Sequence, residues 1–402
     1  MKKLEYTVIF TTPAFLGNAE QSGQWRTPPF KALLRQWWRM AYAADHGFRA
    51  NMKDMRRDEG LLFGHAWLDN DRDEKGRQVA ARKSLVRIRL DSWGEGQLEK
   101  NKWQPLETVS HPEVHHAVGS DLYLGYGPVI LPRGAHQPTL KAHAAIQVGE
   151  NARLSVALPS SHRDPRVAQI LEANGSRIDR ALWLMGRYGT LGGRSRNGWG
   201  SFALIPLRAE GDKGSAQAGD TAFRPWRDCL DSDWDWPHAI GLDDNNRPLI
   251  WQTTKSYDDW KSLMRDLAIV KIGLRTQFLF PNSPPPHPSP LERHWLSYPI
   301  TRHTTKAWKG NMRLPNSIRF KVRPDGAEPT KLRGVILHLP CLPPADFRPD
   351  WKAVERTWRQ VHALLDQLSA ASNRSYPMIS NTARRDALKP QLDKVTLERI
   401  SE

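Results

Sequence analysis

Apolar and polar positions alternate near the start of the chain. Leu4, Tyr6, Val8 and Phe10 fall on one side and Glu5 and Thr7 on the other, which predicts a half-buried strand ended by Pro13. After a loop the period changes. Pro28 and Pro29 suit the first turn of a helix in which Phe30, Leu33, Leu34, Trp37, Trp38 and Ala41 recur at helical spacing. Residues 45–80 are polar and charge-rich, including DNDRDEKGR, and read as an exposed loop or hairpin. In SLVRIRLDSW, Val86, Ile88 and Leu90 alternate with Arg87 and Arg89, predicting a strand with a basic open face. Residues 94–138 carry no periodicity from which elements can be read. NARLSVALP is a further strand, and DPRVAQILEANGSRIDRALWLMGRY supplies one or two helices. These lead into GTLGGRSRNGWGSF, residues 189–202, and then into the strand SFALIPL.

The second half repeats these patterns. SYDDWKSLMRDLAIVKIGLR has Ser256 and Asp259 at capping-box spacing and Trp260, Leu263, Met264 and Leu267 on one face of a helix. PNSPPPHPSP, with six prolines in ten residues, excludes helix and central strand and predicts an extended surface loop. SIRFKVRP alternates Ile318, Phe320 and Val322 with Arg319, Lys321 and Arg323, again a strand with a basic face. WKAVERTWRQVHALLDQLSAAS places Trp351, Val354, Trp358, Val361, Leu365 and Leu368 at spacings of three and four, for packing inside its own domain or against a neighbour. The tail ARRDALKPQLDKVTLERISE is polar and is expected to be loosely held. The small, polar stretch 209–221 reads as a linker, dividing the chain into domains at 1–208 and 222–402.

Composition narrows the partner. The 402 residues carry 59 Lys and Arg against 43 Asp and Glu, a formal charge of +16, which favours an anionic partner, nucleic acid ahead of an acidic membrane surface. There is no apolar run near the roughly 18 residues that a spanning helix needs, and no charged-then-apolar leader, so the expectation is a cytosolic protein with no membrane partner. Cys229 and Cys341 lack CxxC spacing and are expected to be buried, reduced thiols.

Candidate chemistry falls in a few places. Lys31, Arg35 and Arg39 sit four apart, forming a basic stripe on the first helix beside Arg26. They suit phosphate contacts, or are simply solvated. In the glycine-rich stretch, successive N–H groups around Gly192, Gly193, Gly198 and Gly200 can form a concavity for an anion. Arg194 and Arg196 would add charge-assisted bonds and Trp199 a stacking face. The alternative is a tight connection whose glycines only serve packing. GxxxxGK[ST] is absent, and the stretch follows a helix rather than opening one, so neither a nucleotide-triphosphate loop nor a Rossmann turn is indicated. Among the 17 tryptophans, Trp25, Trp199 and Trp308 lie in loops among basic residues and are the candidates for stacking on unpaired bases. A rival reading is metal-independent RNA cleavage with His46, His65 or His303 as general base; His303 lies beside Arg302 and near Lys306. A metal centre at His111, His115 and His116 or at the carboxylates of DNDRDE lacks a companion ligand cluster, so no metal or cofactor is expected.

RTPPFKALLRQWWRM and GGRSRNGWGSF together resemble the signatures of the RAMP superfamily of CRISPR proteins. With TPAFLGNA near the N-terminus and YPITRH, RLPNSIRFKV and LRGVILHLP in the second half, the chain is similar to the first-subunit family of type III-B (Cmr) effector complexes. Pro29 and Ala32 stand where that family usually has Ser and Gly. The resemblance implies an α+β fold of two tandem ferredoxin-like, RRM-related modules with a glycine-rich loop. It also implies a subunit that binds RNA without cutting it, near the 3′ part of the guide, with neighbouring RAMP subunits and guide or single-stranded target RNA as partners. Carried over by position, Arg26, Lys31, Arg35 and Arg39 match the basic helix motif, Gly192, Gly193, Arg194, Arg196, Gly198 and Gly200 the loop. Trp199, Arg302 and His303 complete the expected RNA-binding set.

Overall fold

The computed structural model of the chain describes all residues other than 67, 69, 70, 74, 208–221, 232, 233, 235, 371–373 and 402. It is an α+β chain that divides into two units. The first comprises Met1–Lys102, Ala142–Ser195 and Trp199–Ala222; the second comprises Trp103–Lys141, Arg196–Gly198 and Phe223–Glu402. The expected division at 1–208 and 222–402 differs from this grouping, because residues 103–141 and 196–198 pack with the second unit. The expected linker 209–221 lies outside the described residues.

In the first unit, β1 (Lys2–Phe10), α1 (Thr27–Asp45), α2 (Met52–Phe63), β2 (Arg87–Leu90), β3 (Asn151–Leu158), α3 (Pro165–Tyr188) and β4 (Phe202–Pro206) follow in that order. The sheet runs β4-β1-β3-β2 and every neighbouring pair is antiparallel. Register sets the core. Phe10 lies opposite Phe202, and Trp25 and Phe30 close on them with ring centroids 5.2 to 6.4 Å apart. The α1 stripe is buried against α3, where Trp37 meets Tyr188 at 5.9 Å. Arg87 and Arg89 are exposed on β2, as their alternation requires. The stretch 45–80 is not wholly a loop. Asn51 caps α2 by accepting from the Asp54 N–H at 2.8 Å, and Met55, Leu61, Leu62 and Phe63 are buried.

In the second unit, β5 (Ile250–Thr253), α4 (Trp260–Thr276), β6 (Ile318–Pro324), β7 (Leu332–His338), α5 (Trp351–Leu368), α6 (Thr382–Leu392) and β8 (Leu397–Arg399) build an antiparallel sheet ordered β6-β7-β5-β8. With strands counted within each unit, both sheets have the order fourth, first, third, second, and both follow β-α-β-β-α-β with a further helix, α2 or α6, inserted in a crossover. The cap of α4 is Asp259, which accepts from the N–H groups of Lys261 and Ser262; Ser256 instead donates to Asp325, so the expected capping box is not made. The tail is structured. It contributes α6 and the edge strand β8, whose Arg399 reaches Asp366 at 2.9 Å and lies 4.3 Å over the Trp251 ring.

The two faces of this sheet follow from register. Trp251 pairs with Ile336 and Ile336 with Phe320. On that side Trp251 Nε1 donates to Asp366 of α5, and His362 of α5 meets His338 at 2.9 Å, so the helices cover it. Arg319 and Lys321 therefore point to the opposite face. They were expected to be an open basic face, yet Lys321 is fully buried and Arg319 is 9% exposed.

Candidate nucleic-acid interface

α1 starts after Arg26 with prolines in its first turn, no side-chain cap and no acidic residue in that turn, which leaves its positive end uncompensated locally. A cleft of about 470 Å³ opens beside it, lined among others by Lys31, Arg35, Phe63, His65, Arg82 and Ser84. Lys31 is half-buried, and desolvation together with the neighbouring Arg35 charge lowers its pKa. Arg35 and Arg39, one turn apart, converge on one buried carboxylate. Glu59 of α2 accepts from Arg35 Nε at 2.9 Å and from Arg39 Nε and Nη2 at 3.1 Å. Arg35, Arg39 and Glu59 thus form an ion cluster carrying one net positive charge, with Lys31 adding a second, so the basic stripe is not simply solvated. Arg26 donates to the Gly17 carbonyl and does not line the cleft.

Across the cleft, His65 Nε2 lies 2.8 Å from Asp71 Oδ2, and Arg82 holds the same carboxylate through Nε and Nη2. Burial raises the Asp71 pKa, and the Arg82 and His65 hydrogen bonds outweigh it, leaving the group below its ordinary value. Gly64, at φ +85°, makes the corner: a Cβ there would sit 2.8 Å from both Arg82 O and Ser84 N. The cleft can hold an anion through Lys31, Arg35 and Arg82. Its oriented His–Asp pair is also the arrangement a general base needs. Sequence reasoning singled out Lys31, Arg35 and His65 but missed Arg82 and the acids Glu59 and Asp71. The helical spacing of Met55, Leu61 and Leu62 inside the polar stretch was the available signal.

The glycine-rich stretch is a tight connection. Gly200, at φ +65°, could not carry a side chain, since a Cβ would lie 1.8 Å from Leu191 O. Its N–H donates to Pro13 O at 2.8 Å, and that of Gly193 donates to Phe15 O at 3.0 Å, so these donors are spent on the chain itself. Gly192, at φ +90°, approaches Phe15 O in the same way. The expectation that Trp199 offers a stacking face is corrected: the ring is fully buried, 5.2 Å from Phe15. Arg194 is exposed at φ +56°, whereas Arg196 is half-buried in the second unit.

Trp25 and Trp308 are likewise interior, donating to Glu150 and to Phe347 O at 3.0 Å. His303 is not a lone histidine in a basic loop. Its ring stacks 3.8 Å from Phe280, its Nδ1 lies 3.1 Å from His287 Nε2, and its carbonyl contacts His294 Nε2 at 2.9 Å. Arg302 beside it is exposed, at φ +61°. His46 closes the end of α1, Nδ1 lying 2.8 Å from Tyr42 O. His115 and His116 are exposed, while burial holds His111 down at about 4. Among the described residues no group of three or more His, Cys, Asp or Glu could hold a metal, and no helix is long and apolar enough to cross a membrane. Of the DNDRDE carboxylates, Asp71 and Asp73 pair with Arg82 and Arg77; the others lie outside the described residues.

No family model matches the sequence, and no curated protein matches it. Among solved structures, the chain is similar to one chain of the type III-B Cmr-beta complex bound to cognate target RNA and AMPPnP in the presence of ssDNA. The TM-score is 0.44 at 9% identity, over 90% of this chain and 99% of that chain. A second structure of Cmr-beta bound to cognate target RNA matches with TM-score 0.44 and 9% identity, over 88% and 99%. A chain of a type IV-B CRISPR complex matches with TM-score 0.30 and 12% identity, over 54% and 94%.

Proposed function

We propose that this chain is a non-catalytic, cytosolic RNA-binding subunit of a type III-B, Cmr-like CRISPR effector complex acting in antiviral defence. In this reading it is built from two ferredoxin-like modules and engages target RNA near the 3′ part of the guide beside other RAMP subunits. The observation that carries the RNA-binding role is the cleft in which Lys31, Arg35 and Arg82 converge beside the uncapped start of α1. The modular part draws support from the identical strand order of the two sheets, which is that of a split β-α-β unit. The motif resemblance to RAMP proteins supplies the assembly context. Guide or single-stranded target RNA contributes a phosphate chain that Lys31 and Arg35 neutralise, while Glu59 and Asp71 hold the arginines in place before RNA arrives.

A second reading, a metal-independent RNA-processing endoribonuclease, is favoured by one observation: His65 is oriented by Asp71 in the same cleft as Lys31 and Arg35. One experiment separates the two. Labelled single-stranded RNA is titrated with the purified protein across a salt series and the products are run on a gel, alongside a Lys31→Gln/Arg35→Gln variant. The subunit reading expects intact RNA and a log–log salt slope shallower in the variant by about 1.4, two contacts at about 0.7 each. Cleavage lost in His65→Ala, with binding kept, overturns it in favour of the nuclease.

A further inference from the structure

On the sheet face of the second unit turned away from its helices, Arg333 is matched by Asp325 and Glu398, whereas no carboxylate among the described residues acts on Arg319. Arg319 of β6 is 9% exposed, and its buried Nε has no hydrogen-bond partner. Alongside it runs Arg196: the Phe320 N–H donates to Arg196 O at 3.0 Å, and Asn197 makes a single parallel bridge to Phe320 at the β6 edge. Gly198 permits this course. At φ +92° it packs on Met264, where a Cβ would lie 3.0 Å from Sδ.

The charge environment of the two guanidiniums is unusual. Burial lowers the pKa of both, and burial together with the neighbouring Arg196 charge brings Arg319 to about 9. The opposing influence on each comes from Cys341, and among the described residues no carboxylate contributes to either. Both stay charged at neutral pH, as arginines do in proteins. Two desolvated like charges repel, and a buried cation left without a counter-ion is destabilising. Other buried arginines of this chain illustrate the usual remedy: Arg293 has Glu113 at 2.7 Å and Arg177 has Asp45 at 2.6 Å. With no such carboxylate among the described residues, a solvent-derived or ligand-derived anion balances Arg196 and Arg319. Each guanidinium is a planar fork of donors that suits a tetrahedral oxyanion.

We propose that Arg196 and Arg319 form a binding site for one phosphate group, in the second unit and separate from the cleft beside α1. The carrier of that phosphate is either a nucleic-acid backbone or free phosphate. Only the first of these rests on the RNA-binding reading.

The test uses the full chain and three probes: inorganic phosphate against chloride at matched ionic strength, single-stranded RNA, and alkylation of the half-buried Cys341. The expected result is a melting temperature that rises with phosphate concentration and a Cys341 alkylation rate that falls as phosphate binds. Arg319→Met melts at or above the wild type in phosphate-free buffer, because a buried charge has become an apolar side chain, and has lost the phosphate response. Arg196→Gln, at a half-exposed position, loses most of the response and provides the reading should Arg319→Met not fold. RNA that protects Cys341 and whose log–log salt slope falls by about 0.7 in Arg319→Met identifies the carrier as a polynucleotide. A phosphate response without any RNA binding leaves the site standing and removes the RNA reading. A wild-type melting temperature indifferent to phosphate, or an equal response in both variants, overturns the site.

Discussion

Replacing Glu59 by Gln separates the stability of the first unit from its affinity for RNA. The carboxylate is 1% exposed, and its partners Arg35 and Arg39 are 31% and 22% exposed at the side chain. Removing one member of a fully buried pair costs about 3–5 kcal/mol, and an exposed pair is worth at most about 1 kcal/mol. With the acid buried and the arginine side chains between a fifth and a third in solvent, the cost falls between, at roughly 2–3 kcal/mol. A domain of this size loses about 2–4 °C of melting temperature per kcal/mol, so thermal unfolding followed by circular dichroism should shift down by about 5–10 °C. RNA affinity moves the other way. Arg35 and Arg39 are released from their internal anion, and at low salt Glu59→Gln should bind single-stranded RNA more tightly. Its log–log salt slope steepens by up to about 0.7, for Arg39, because Arg35 already makes a contact in the wild type. An unchanged melting temperature refutes the claim that Glu59 anchors the stripe. A fall in RNA affinity in a folded variant refutes the claim that the acid competes with RNA for the arginines.

Two further outcomes follow from burial. Trp199→Ala should cost about 3–5 kcal/mol, read as a lower melting temperature, with RNA affinity of the folded protein unchanged; a folded, stable variant that has lost RNA would restore the ring as a stacking platform. Burial holds the His338 imidazole down at about 3, and His362, 2.9 Å away, is depressed as well. The unfolded chain therefore takes up protons that the folded one refuses below about 6.5, and stability falls as pH drops from there towards 3, by about 1 kcal/mol per pH unit for each histidine. Denaturant midpoints measured between pH 7 and 4.5 should show this loss, and His338→Gln should flatten it; an unchanged profile in a folded variant removes the histidine from the account.

Local periodicity determined much of this protein. The alternation in LEYTVIF and NARLSVAL and the helical stripes of α1, α4 and α5 mark elements of the structure, because each pattern is set by neighbours within a few residues. Asp259 was in view as part of the first turn of α4, but that it rather than Ser256 caps the helix depended on Ser256 finding Asp325, 69 positions away. Net charge pointed to an anionic partner. What only the tertiary structure decided is which cations are available to it. Arg35 looks as free as Lys31 in sequence; it is not, because Glu59 arrives from the next helix, 24 residues on. The loop tryptophans are interior because distant segments close over them, and α6 and β8 form from a polar tail because a sheet edge awaits them. Arg319 shares its alternating pattern with the exposed Arg87 and Arg89, yet lies inside. A period of two tells which side chains share a face, and only the packing of the rest of the chain decides whether that face meets water.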